Sequence, residues 1–122
     1  MALGIGNDIV EIDRIRRSIA RHGQHFLNRI FTQKEQDYCY KFQDPAPHFS
    51  VRFSIKEAIA KALGTGLGEH LGWQDIEILN DELGKPIVLF SAKAKKRFND
   101  PQFFISLSHS ETHATSVALW NK

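Results

Sequence analysis

Trp73-Gln74-Asp75-Ile76-Glu77-Ile78-Leu79, the turn Asn80-Asp81-Glu82-Leu83-Gly84, and the return Lys85-Pro86-Ile87-Val88-Leu89-Phe90 decide the architecture. Apolar and polar residues alternate in the first run, the signature of a half-buried strand. The Asn/Asp/Gly cluster is turn chemistry, so the two runs predict an antiparallel hairpin. Downstream, Ser91 can cap a short helix over 92–98, and residues 103–108 and 112–120 predict two more strands joined at Ser110-Glu111. Upstream, residues 3–10 predict a strand, and Asp13 can cap a helix over about 14–21 that Gly23 stops. Thr32-Gln33-Lys34-Glu35 is a capping box that opens a helix over about 33–41, which Asp44-Pro45-Ala46-Pro47 breaks. Residues 49–63 carry helical periodicity up to Gly64. Strand, helices, then hairpins with one helix between them predict an α+β fold with a largely antiparallel sheet and helices packed on it.

The chain has 122 residues, 42% hydrophobic and 25% charged, which predicts one globular domain, residues 1–122. No apolar run approaches the roughly 20 residues that cross a bilayer, so no membrane association is expected. The N-terminus meets acidic residues at once and does not read as a signal peptide. Cys39 is the only cysteine, which excludes an intramolecular disulfide framework and fits a cytoplasmic location. The net charge of +2 is not that of a bulk nucleic-acid binder.

Four segments could carry chemistry. In Gly4-Ile5-Gly6-Asn7-Asp8, a strand places Asp8 on the face of Gly4, Gly6 and Val10, with room for something bulky to approach. A purely structural reading makes Asp8 a strand-end hydrogen-bonder beside a tight backbone contact. In Phe53-Ser54-Ile55-Lys56-Glu57-Ala58-Ile59-Ala60-Lys61, Glu57 and Lys61 share a helix face with Ser54. They could hold a cation and phosphate, or form only an exposed i, i+4 ion pair. In Ser106-Leu107-Ser108-His109-Ser110, a strand end offers hydroxyl and imidazole groups suited to phosphate or ribose. A hydrolase is disfavoured there, because no nucleophile elbow exists and adjacent Ser and His point to opposite faces. Finally, Arg14, Arg17 and Arg21 fall within about 60° of one another on a helix. That ridge could dock an acidic protein helix, contact nucleic acid, or be a solvated face.

Three segments, in this order, are G-I-G-N-D-I-V-E-I-D-R-I at 4–15, R-F-S-I-K-E-A-I-A-K-A-L-G-T-G at 52–66 and S-L-S-H-S at 106–110. Together with I-F-T-Q-K-E at 30–35, W-Q-D-I-E-I at 73–78 and G-K-P at 84–86, they resemble the holo-acyl-carrier-protein synthase family, the small bacterial 4′-phosphopantetheinyl transferases. The resemblance spans essentially the whole chain. It departs from the family pattern at Ser54 and Ile55, where alanine is common, and at Ser110, where glutamate is common. It implies transfer of the phosphopantetheine arm of coenzyme A to a serine of apo acyl carrier protein, releasing adenosine 3′,5′-bisphosphate, in support of fatty acid biosynthesis. By motif, Asp8 and Glu57 would hold magnesium, and Lys61 would lie near the coenzyme A phosphates. Arg52, Ser108 and His109 would line the nucleotide, and Arg14, Arg17 and Arg21 would dock the carrier. The family further implies a homotrimer with its sites at subunit interfaces. The alternatives are a transferase acting on another carrier domain, a non-catalytic module that binds an acidic partner, and a small nucleic-acid binder.

Overall fold

The computed structural model describes residues 1–122. Strand β1 (Ala2–Glu11) runs directly into helix α1 (Ile12–His22), followed by α2 (Gln24–Ile30), α3 (Gln33–Cys39) and the long α4 (Ala46–Leu63). After a 3-10 turn (Trp73–Asp75) come β2 (Ile76–Asn80), β3 (Pro86–Phe90), α5 (Ala92–Arg97), β4 (Gln102–His109) and β5 (His113–Asn121). Every strand pair is antiparallel and the fold is α+β, as expected. The strands form two sheets, however: β1-β5-β4, and the hairpin β2-β3.

Local chemistry explains most boundaries. Thr32 accepts from the Glu35 amide while Glu35 accepts from the Thr32 amide, completing the capping box of α3. Ser91 accepts from the Ala94 amide and starts α5. Gly64, at φ 83°, ends α4 in the left-handed conformation that glycine adopts freely. Three expectations need correction. Asp13 is not a cap: α1 begins at Ile12 without a side-chain cap, and Asp13 lies in its first turn beside Arg16 at 3.5 Å. The Asp44–Pro47 stretch does separate α3 from α4, but α4 starts inside it, at Ala46 rather than at 49, because proline is tolerated in a helix's first turn, where there is no amide to satisfy. The first three residues of the expected strand at 73 form the 3-10 turn instead.

Helix α4 is the axis of the molecule. Phe49, Val51 and Phe53 pack with Ile12, Ile15 and Phe31 in one core, and Ile55, Ile59 and Leu63 pack with Leu71, Ile76 and Ile78 in another. Between them, Lys56 and Glu35 are both fully buried. Lys56 Nζ donates to Glu35 Oε1 at 2.7 Å, to the Ile30 carbonyl at 2.8 Å and to the Trp73 carbonyl at 3.1 Å. The other Glu35 oxygen accepts from the Ile78 amide at 2.7 Å. One ion pair therefore ties α2, α3 and β2 to α4.

Candidate active site

Asp8 and Glu57 come together because β1 and α4 pack closely. A Cβ on Gly6 would lie 2.0 Å from the Ala58 carbonyl oxygen, and one on Gly4 would lie 2.2 Å from that of Ala62. The bulky neighbour that the glycines admit is thus the backbone of α4. Asp8 shares the inner face of β1 with Gly6 and Val10, as the alternation predicts.

Lys61 does not pair with Glu57. Its Nζ donates to Asp8 Oδ1 at 3.2 Å and to the Asn7 carbonyl at 3.0 Å. The exposed i, i+4 pair is therefore replaced by a bridge between α4 and β1. The Asp8 side chain is only 15% exposed, against 53% for Lys61, so the ammonium reaches outward from a sheltered carboxylate. Glu57 is half-buried. Burial first, and then the charge of Asp8, hold its carboxyl above the usual range, against the opposing pull of Lys61 and Arg14. Two mutually repelling carboxylates, joined by no third acidic, histidine or cysteine ligand, fit a hard cation that keeps its remaining positions for water and substrate oxygens. An ammonium beside them fits phosphate.

Glu57 also borders an open groove of about 500 Å³ between α1, α2 and α4. Phe26, Phe53 and Trp73 give it apolar lining, and Arg14 and Arg29 flank them. The Arg14 guanidinium lies 5.6 Å from the centre of the Phe53 ring. Arg14, Arg17 and Arg21 are exposed and make no ion pair, whereas Arg16 is held by Asp44 at 2.6 Å. Arg29 escapes sequence reasoning because α2 does: seven residues with only Leu27 and Ile30 buried leave little periodicity to detect.

The expected nucleotide residues sit elsewhere on the chain and not all together. Arg52 lies five positions before Glu57, roughly 140° around the helix. It is buried, donating to the carbonyls of Ile78 and His48 at 3.2 Å each and to Asn80 Oδ1 at 2.6 Å, with the Tyr38 ring 4.4 Å away. Its guanidinium thus braces the β2-β3 hairpin and His48. His48 stacks on Phe42, with ring centres 3.6 Å apart, and its ring lies 6.1 Å from that of His109. Ser108 pairs with Thr115 and His109 with Ala114 in the β4-β5 register, so the two point to opposite faces of the sheet. His109 joins the His48 cluster, and Ser108 lies on the outer face with Phe104 and Ser106.

Comparison with known proteins gives the class to which this fold and site belong. Residues 4–118 match the 4′-phosphopantetheinyl transferase superfamily, and the chain belongs to it. It is 50% identical over 121 residues to the holo-[acyl-carrier-protein] synthase of Protochlamydia amoebophila, covering 99% of each chain. Among solved structures, that of the Neisseria meningitidis synthase superposes with a TM-score of 0.91 at 32% identity, covering 100% of both chains. The Helicobacter pylori synthase in complex with coenzyme A superposes with a TM-score of 0.88 at 32% identity, over 96% of this chain and 99% of that one.

Proposed function

We propose that this chain, as one catalytic domain, transfers the 4′-phosphopantetheine group of coenzyme A to a serine of apo acyl carrier protein, leaving adenosine 3′,5′-bisphosphate. The observation that carries this reading is the convergence of Asp8, Glu57 and Lys61 at the β1–α4 seam, in a chain of this family. Asp8 and Glu57 are the residues that would hold magnesium, which when bound would neutralise negative charge on the pyrophosphate. Lys61 already reaches an oxyanion and has the length to serve a phosphate oxygen beside it. The nucleophile belongs to the carrier, so this chain needs no activated serine.

The arginine ridge and the adjoining groove suit an acidic partner that also buries an apolar side chain. Arg14, Arg17 and Arg21 supply uncompensated charge, and Phe26, Phe53 and Trp73 supply the apolar lining. His109 contributes to the nucleotide wall directly, and Arg52 contributes by bracing His48 and Asn80. Ser108 faces away from that cluster, so it lines a nucleotide cleft only where a second copy covers the outer sheet face. That face exposes large apolar side chains among polar ones: Ile5 is 68% exposed, Ile9 66% and Phe104 69%, beside Asn7, Ser106 and Thr115. These side chains support association with further copies of the chain, which, with the family resemblance, is read as a homotrimer whose clefts lie between subunits. No helix is long and apolar enough to cross a membrane, and the proposed place of action is the cytoplasm, in fatty acid biosynthesis.

The test is intact mass spectrometry of apo acyl carrier protein incubated with the protein, coenzyme A and magnesium. A mass gain of one phosphopantetheine is expected, and it should vanish with chelator, Asp8→Ala or Glu57→Ala. Modification that survives the alanine changes would sink the metal assignment. Failure with fatty-acid carriers but success with a polyketide or peptide synthetase carrier would move the protein to that partner.

A further inference from the structure

Ser50 and Ser54 lie one turn apart on α4 and use their hydroxyls differently. Ser50 Oγ donates to the carbonyl of Ala46 at 2.7 Å, the usual outlet for a serine inside a helix. Ser54 gives up that outlet. Its Oγ leaves the helix, donates to the Asp8 carbonyl on β1 at 3.2 Å, and lies 2.7 Å from Ser116 Oγ on β5. A hydroxyl has one proton, so Ser54 accepts in the second contact and Ser116 is its donor. The relay therefore runs from Ser116 through Ser54 to Asp8, and each bond polarises the next. From the outer face, Thr115 Oγ1 donates to the same carbonyl at 3.2 Å.

The surroundings show how selective this is. Asp8 faces Ser116 in the β1-β5 register, flanked by the pairs Gly6–Ala118 and Val10–Ala114. Ser54 and Ser116 are both buried, and their hydroxyls find partners only across this seam. Ser54 also stands three residues before Glu57, on the same side of α4. It thus bonds the backbone of one carboxylate residue from the helix turn that carries the other.

We infer that Ser54, a serine where alanine is common in the family, is a positioning residue particular to this chain: donated to by Ser116, it holds Asp8 against Glu57 and raises the affinity of the carboxylate pair for a divalent cation above that of a seam with alanine. This rests on the reading of Asp8 and Glu57 as the metal ligands. Groups that orient metal ligands change metal affinity or activity by about 10- to 100-fold when removed. Because Ser116 acts through Ser54, their effects should not add.

The experiment is direct titration of the full-length protein with manganese(II), followed by electron paramagnetic resonance, beside thermal unfolding of each variant without metal. Ser54→Ala should weaken manganese binding about tenfold; it also strands the buried Ser116 hydroxyl, so the unfolding temperature should fall by about 3–10 °C, and the titration is made well below that transition. Ser116→Ala should weaken binding less, and the double variant should match Ser54→Ala. Wild-type affinity in Ser54→Ala, with binding lost in Asp8→Ala, would overturn the positioning role and leave the metal site standing. Wild-type affinity in Asp8→Ala and Glu57→Ala would overturn the metal reading itself, and the inference with it.

Discussion

Replacing Gly6 by alanine tests the packing that creates the site. The new Cβ would stand 2.0 Å from the Ala58 carbonyl oxygen, 2.9 Å from the Ala62 nitrogen and 3.0 Å from the Ala58 carbonyl carbon. All three are backbone atoms of α4, so no side chain can rotate out of the way. Ordinary contact begins at 3.4 Å, so the helix must withdraw from β1 by about 1.4 Å, or the strand must bow by as much. Overpacking of this kind costs about 3 kcal/mol. In a domain of this length that lowers the unfolding temperature by about 10 °C. The larger consequence falls on chemistry. Glu57 and Lys61 ride on α4 and Asp8 rides on β1, so the withdrawal opens the carboxylate pair and stretches the 3.2 Å bridge from Lys61. A misplacement of about 1 Å reduces a rate on the order of 100-fold. The assay is the initial rate of carrier modification at saturating coenzyme A, by intact mass, at a temperature where circular dichroism shows the variant folded. Wild-type unfolding temperature together with a wild-type rate would refute the claim that close backbone packing sets the site. A lower unfolding temperature with an unchanged rate would refute its link to Asp8 and Glu57.

Lys56→Met removes the partner of a fully buried Glu35 and should cost about 3–5 kcal/mol in urea unfolding. Adding Glu35→Gln should recover part of that loss; a single variant within 1 kcal/mol of wild type would show that the ion pair does not hold the helices together. His48 gives a pH signature. Burial, and then the positive charges of Arg52 and His109, hold it below its ordinary 6.5, against the pull of Asp44. The unfolded chain therefore binds the proton more readily, so stability is lost as pH falls from 6.5 toward the lower folded value. His48→Gln should flatten that part of the urea-midpoint profile, and an unchanged profile would exclude His48 as its source.

The sequence by itself determined those features whose free energy is local. The Thr32–Glu35 box, the Ser91 cap and the Gly64 stop act within four residues, and each stands where the residues predict. Strand alternation placed Asp8 on the face of Gly6 and Val10, and set Ser108 and His109 back to back. The ordered motifs also carried the family, which an independent match over residues 4–118 establishes. α2 was not legible, because Gly23 ends α1 and begins α2 without a capping side chain, and seven residues give little periodicity. Only the tertiary structure decided which distant groups meet. It paired the first strand with the last and separated the β2-β3 hairpin into its own sheet. It turned Lys61 from Glu57, its neighbour on the helix, to Asp8, 53 residues away. It drew Lys56 into the core with Glu35, and Ser54 across to Ser116. The physical reason is the same in each case. A side chain in a helix sees its own turn in the sequence, but a polar group bonds whatever the packing brings within hydrogen-bond reach, and packing is a property of the whole chain.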